Sequence, residues 1–115
     1  MTSLLSLLHD QGGFTLTPDL TPAALVAGYI VSDNRTIKVS DSLLSDALLA
    51  AILRELSSVA AHDALYVGAW RDNDTGIVHF DLSAVVPSMD QAVAIGRAYS
   101  QLAIWDIANN CEMRL

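Results

Sequence analysis

The sequence holds a single cysteine, Cys111, in 115 residues. No internal disulfide is possible, and no set of thiols exists to build a zinc site. The three histidines, His9, His62 and His79, stand far apart and make none of the HxxxH or HExxH spacings that metal centres use, so no metal or other cofactor is expected. Basic residues are scarce too: six Lys and Arg against 13 Asp and Glu give a net charge of −7. With no basic stripe to neutralise phosphates, direct nucleic-acid binding is not expected. No serine lies in a GxSxG arrangement, and Gly12-Gly13 and Gly68 do not compose a phosphate-binding loop. The longest apolar run, residues 47–53, falls far short of the ~20 residues that span a bilayer. The opening MTSLLSLLHD lacks a positive n-region and a small-residue cleavage site. A cytoplasmic protein with no membrane partner is the expectation.

What is abundant is apolar. Hydrophobic residues make up 52% of the chain, enough to fill a core without disulfides or metals at this length. The reading is one domain over residues 1–115. The apolar surplus implies contact with another subunit or a partner, hence a homo-oligomer or an interaction protein.

Periodicity gives the elements. Leu4, Leu5, Leu7 and Leu8 follow Thr2 and Ser3 and end at Gly12-Gly13, which predicts a short docked helix. Phe14 to Thr17 reads as a short strand stopped by Pro18. GYIVS and TIKVS read as two strands flanking a hairpin loop, Asp33-Asn34-Arg35. Residues 43–60 read as a helix capped by Asp41 or Ser42, with Leu44, Ala47, Leu48, Ala51, Ile52 and Leu56 as its inner stripe. Leu43, Leu49 and Leu53 widen that stripe, which implies contacts on two sides. Leu65 to Trp70 and Ile77 to Leu82 form a hairpin around residues 71–76. Alternation puts Tyr66, Gly68 and Trp70 on one side of the first strand, and Ile77, His79 and Asp81 on one side of the second. Ser88-x-x-Gln91 is a capping box that opens a helix over residues 89–100, with Ala92, Val93, Ile95, Gly96 and Tyr99 inward. Gly96 there implies a close approach to the sheet. Leu102 to Ile107 and Cys111 to Leu115 close the chain as strands. The expected class is α+β: an antiparallel sheet of about five to seven strands, two main helices packed on one face, and a short N-terminal helix.

Candidate chemistry is sparse. Asp72-Asn73-Asp74-Thr75-Gly76 has alternating oxygens but is followed by a strand, not by the distal glutamate and helix of a calcium loop, so it reads as a turn. His79 and Asp81 share a strand side, and Asp106 joins them if its strand is a neighbour; such a polar cluster is what a small enzyme or ligand-binding domain would use. A solvent-facing polar stripe accounts for the same residues. His9-Asp10 and His62-Asp63 fall at helix ends, where histidine suits the negative terminus. Cys111 sits beside Glu112, which disfavours a reactive thiolate. Tyr66, Trp70 and Trp105 are the aromatic residues suited to a protein interface if the Tyr66 and Trp70 side of the sheet lies opposite the core; a helix covering that side would make them core residues, and the composition favours the core. An acidic surface of Asp41, Asp46, Glu55 and Asp63 would suit a nucleic-acid mimic, although distributed acidity serves solubility equally well.

GGFT at 12–15, GYIVS at 28–32, YVGAW at 66–70, FDLSAVV at 80–86, QLAIWDI at 101–107 and the closing Glu112 together resemble a family of small uncharacterised proteins of actinobacteria and their phages. The resemblance implies a phage or prophage accessory protein acting in the host cytoplasm. It carries over no functional residues. The combined expectation is a non-enzymatic interaction module that binds a host protein or self-associates.

Overall fold

The computed structural model describes residues 3–115, with Asn34 described by its backbone alone; Thr2, a candidate cap, lies outside them. The chain is mixed α+β. Its elements are α1 (Leu4–Gln11), β1 (Gly13–Leu16), β2 (Tyr29–Ser40), a 3₁₀ turn (Asp41–Leu43), α2 (Asp46–Asp63), β3 (Tyr66–Asp72), β4 (Ile77–Val86), α3 (Met89–Ala98), β5 (Ala103–Asp106) and β6 (Cys111–Arg114). The strands lie in the hydrogen-bonded order β1-β3-β4-β2-β5-β6. Two compact units divide the chain: residues up to Ala23 with Thr36–Leu82, and Ala24–Arg35 with Ser83–Leu115. No helix among the described residues is long and apolar enough to cross a membrane.

In the first unit, Ser3 caps α1 by accepting from the Ser6 amide, and Gly12 ends it at φ 82°, its N–H donating to the Leu8 carbonyl. β1 then pairs antiparallel with β3, Gly13 opposite Trp70 and Leu16 opposite Val67. Strand alternation turns Leu16, Val67, Val78, Phe80 and Leu82 to one side, where α1 gives Leu8 and α2 gives Leu49, Ile52, Leu53, Leu56 and Ala60 to a common core. The α2 stripe differs from the expected one. Leu48 is 37% exposed and Ala47 lies outside. Two stripes at helical spacing compete on this helix, and the one rich in Leu and Ile removes more apolar area from water than the alanine-rich one. The helix also begins later than expected. Leu44 is extended and its amide closes the 3₁₀ turn on the Asp41 carbonyl, so Ser45, not Asp41 or Ser42, caps α2 by accepting from the Leu48 amide.

The largest correction concerns β2. Residues 29–40 are one continuous strand, not two strands around a loop at Asp33-Asn34-Arg35. The tripeptide has loop composition but no glycine for a tight two-residue turn. Asp33 instead satisfies its neighbour locally: Oδ1 accepts from the Arg35 amide at 2.8 Å, and Oδ2 accepts from the Arg35 Nε at 2.8 Å. β2 lies between β4 and β5 in the sheet order, with β5 paired at Tyr29 and Ile30, and membership of that sheet overrides the local composition.

In the second unit, Ser88 caps α3 by accepting from the Gln91 amide. The core is Val31, Val86, Ala92 and Ile104, lined by Tyr29, Val93, Met113 and Leu115. The expected close approach at Gly96 is observed: an alanine Cβ there would lie 2.5 Å from Leu115 Cδ1 and 3.1 Å from Ile104 Cγ2. Ile95 and Tyr99, expected inward, are 36% and 44% exposed. A helix seated this low rests on Ala92 and Gly96, so its longer side chains fan outward.

Candidate functional site

The side of the first unit's sheet away from α1 and α2 carries the polar and aromatic residues. On β3 these are Tyr66, Gly68 and Trp70, and on β4 they are Ile77, His79 and Asp81. β2 contributes Lys38 to the same side, because its neighbour Val39 packs into the core. Trp70 and His79 stack with ring centroids 4.3 Å apart and planes 7° from parallel. Cross-strand from Trp70 stands Gly13, where a Cβ would meet the Ala69 carbonyl oxygen at 2.5 Å. β1 therefore approaches β3 closely and puts no side chain beside the indole, which remains 45% exposed.

Two residues further along each strand, Asp81 lies over Gly68. An alanine Cβ at 68 would come within 2.5 Å of Asp81 Oδ1, so the carboxylate fills the space that the missing side chain leaves. Asp81 is buried and Tyr66 half-buried. His79 titrates below its ordinary value, chiefly because burial disfavours the charged ring and further because of the Lys38 ammonium; Asp72 opposes the shift. It is a neutral stacking partner at pH 7.

The structure brings His79 and Asp81 to one strand side, as expected. Asp106 belongs to the second unit, and its carboxylate is committed there. Oδ2 accepts from the Asn109 side-chain amide at 2.7 Å and Oδ1 from the Asn109 backbone N–H at 3.3 Å, which holds the turn between β5 and β6. Trp105, also in the second unit, is 39% exposed and points away from the Ile104 core side, with Ile30 and Glu112 as its cross-strand neighbours.

Residues 72–76 form a turn. Asp72 Oδ1 accepts from the Asp74 amide at 2.9 Å and the Asp72 carbonyl from the Gly76 amide at 2.8 Å, with Gly76 at φ 70°. The Asp74 amide is the main reason the Asp72 carboxyl titrates below its usual range. Among the described residues, no three His, Cys, Asp or Glu side chains gather as a metal site requires. Cys111 is an exposed free thiol.

Sequence reasoning missed one cluster. Asp41 accepts from His9 Nε2 at 3.0 Å and lies 3.2 Å from Arg71 Nε, an ion pair rather than a directed hydrogen bond. The Asp41 amide also donates to the Gly76 carbonyl at 2.8 Å. Asp41 thus ties the end of α1, the 3₁₀ turn and the β3–β4 hairpin together. Residues about thirty positions apart with no shared period leave no signal in the sequence for such a contact. Comparison with known proteins finds no matching family model, no matching curated protein and no matching solved structure.

Proposed function

We propose that the protein is a non-enzymatic protein-interaction module whose contact surface is the side of the first unit's sheet turned away from α1 and α2, centred on Trp70. The observation that carries this reading is a half-exposed indole fixed by a parallel stack on neutral His79. A large ring held in one rotamer loses little conformational entropy on binding, which is why tryptophan is enriched among residues that dominate interface energy. Gly13 leaves one flank of the ring open, and Tyr66 and Lys38 belong to the same side of the sheet.

The acidic-mimic reading is weakened because Asp41 is ion-paired with Arg71 and hydrogen-bonded to His9, and Asp63 is hydrogen-bonded to His62. The reading of a small enzyme or ligand-binding domain at His79, Asp81 and Asp106 is weakened by the commitment of Asp106 to Asn109. The resemblance to actinobacterial and phage proteins supports an accessory protein acting on a host protein in the cytoplasm. A tagged-protein capture from actinobacterial lysate, run in parallel with wild type and Trp70→Ala, tests the proposal. The expected result is one stoichiometric host protein with wild type and its loss with the variant, whose circular dichroism stays unchanged. Equal recovery by both proteins would overturn the assignment of the surface.

A further inference from the structure

The sheet order leaves β1 and β6 as its outermost strands, and the chain treats the two differently. Beyond β1 the chain folds back: Leu16 bridges Pro22, the Ala23 amide donates to the Thr15 carbonyl at 3.0 Å, and the Thr17 amide donates to the Thr21 carbonyl at 2.8 Å. A proline placed there ends any further ladder. No strand among the described residues pairs with the outer side of β6.

Which backbone groups face outward from β6 follows from its ladder. β6 pairs with β5 in the register Ala103 opposite Arg114 and Trp105 opposite Glu112, and the next rung is the Leu115 amide donating to the Leu102 carbonyl at 3.0 Å. In an antiparallel ladder, alternate residues direct both N–H and C=O to the same neighbour. Cys111, Met113 and Leu115 therefore direct theirs to β5, while Glu112 and Arg114 direct theirs outward. The other side of β5 agrees, since the Ile107 amide goes to Gly28 on the β2 side.

A two-fold symmetric pairing of this edge with itself must match outward residues with outward residues. Three registers do so. One sets Glu112 against Glu112 of the second copy, one sets Arg114 against Arg114, and one sets Glu112 against Arg114 with Met113 on the axis. Like charges directly opposite destabilise a strand pair, and opposite charges stabilise it. Only the third register has complementary charge, and it has it twice. In one copy alone, the two side chains satisfy each other along the strand, Arg114 Nε lying 2.5 Å from Glu112 Oε1 with both side chains well exposed. Pairing exchanges the two intrastrand contacts, one in each copy, for two across the strands, so charge selects the register while the gain comes from two added hydrogen-bonded residue pairs.

We propose that the β6 edge is the site of homodimerisation, a second copy of this chain adding antiparallel with Glu112 opposite Arg114 and Met113 at the two-fold axis. This surface is independent of the Trp70 surface, so Trp70→Ala leaves the dimer intact and the two proposals fail separately. Sedimentation velocity over a concentration series, with circular dichroism as a folding check, tests the edge. The wild type is expected to dimerise with rising concentration. Glu112→Arg alone and Arg114→Glu alone place like charges across the axis and are expected to weaken the dimer at least tenfold. The double swap E112R/R114E returns complementarity and is expected to restore the affinity to within about threefold. In a Cys111→Ser background, Met113→Cys is expected to cross-link on oxidation, because a non-hydrogen-bonded pair brings Cα atoms to about 4.5 Å, within disulfide reach. A wild type that stays monomeric at every concentration, or a dimer that the single swaps leave unchanged, would overturn the proposal.

Discussion

The two units hold their helices by opposite means. In the first, α2 presses Leu49, Ile52, Leu53 and Leu56 onto Val67, Val78 and Phe80, so adhesion comes from large side chains filling volume. In the second, α3 meets the sheet through Ala92 and Gly96, so adhesion comes from a close backbone approach that leaves no room for volume. A filled core is vulnerable to loss of atoms and a close approach to their addition. The first unit shows a polar, aromatic sheet side and leaves Leu43 and, in part, Ile37, Leu48 and Val59 exposed. The second leaves Ile95, Tyr99 and Leu102 partly or largely exposed.

Deletion in the first unit should have the largest effect. Phe80 is fully buried, and Phe80→Ala is expected to cost about 3–5 kcal/mol in urea unfolding. Near-neutral behaviour would remove the volume-filled half of the contrast. Insertion in the second unit comes next. Ala92 is 0% exposed under α3, so Ala92→Leu should destabilise by about 1–3 kcal/mol through overpacking, and a gain in stability would show the approach to be loose. A smaller effect distinguishes the observed start of α2 from the expected one: Ser45→Ala should cost about 1 kcal/mol through loss of the cap, while Ser42→Ala should change the midpoint little.

The smallest effect lies at the contact surface. His79 titrates below its ordinary 6.5, so below that value the unfolded chain binds more protons than the folded one. Its contribution to stability is complete above pH 6.5 and is lost as pH falls through the lower folded value. Urea midpoints of wild type and His79→Gln at pH 8 and pH 5 should show a larger acid loss in the wild type; parallel losses would place the cause elsewhere.

Much of this was legible in the residues. The β3–β4 hairpin, the side on which Trp70 and His79 stand, the Ser88 cap and the close approach at Gly96 follow from period-two alternation, capping chemistry and the steric meaning of a helical glycine. What escaped was decided by contacts distant in sequence. Asp33-Asn34-Arg35 has the composition of a turn, yet it lies inside one continuous strand of the sheet. The inner stripe of α2 was ambiguous because both stripes are apolar, and only the sheet beneath selects one. The Asp41 cluster joins three elements that share no pattern. The pairing of Trp70 with His79 was available from the hairpin register, since both stand on the same side of neighbouring strands.

The two exposed tryptophans, Trp70 and Trp105, differ in the role proposed for them. Once the captured partner is purified, calorimetric titration with Trp70→Ala and Trp105→Ala would measure each ring's share of binding. Trp70→Ala is expected to weaken binding at least tenfold, about 1.4 kcal/mol or more, while Trp105→Ala stays within about threefold of wild type. Binding lost with Trp105→Ala and kept with Trp70→Ala would contradict the role proposed for Trp70.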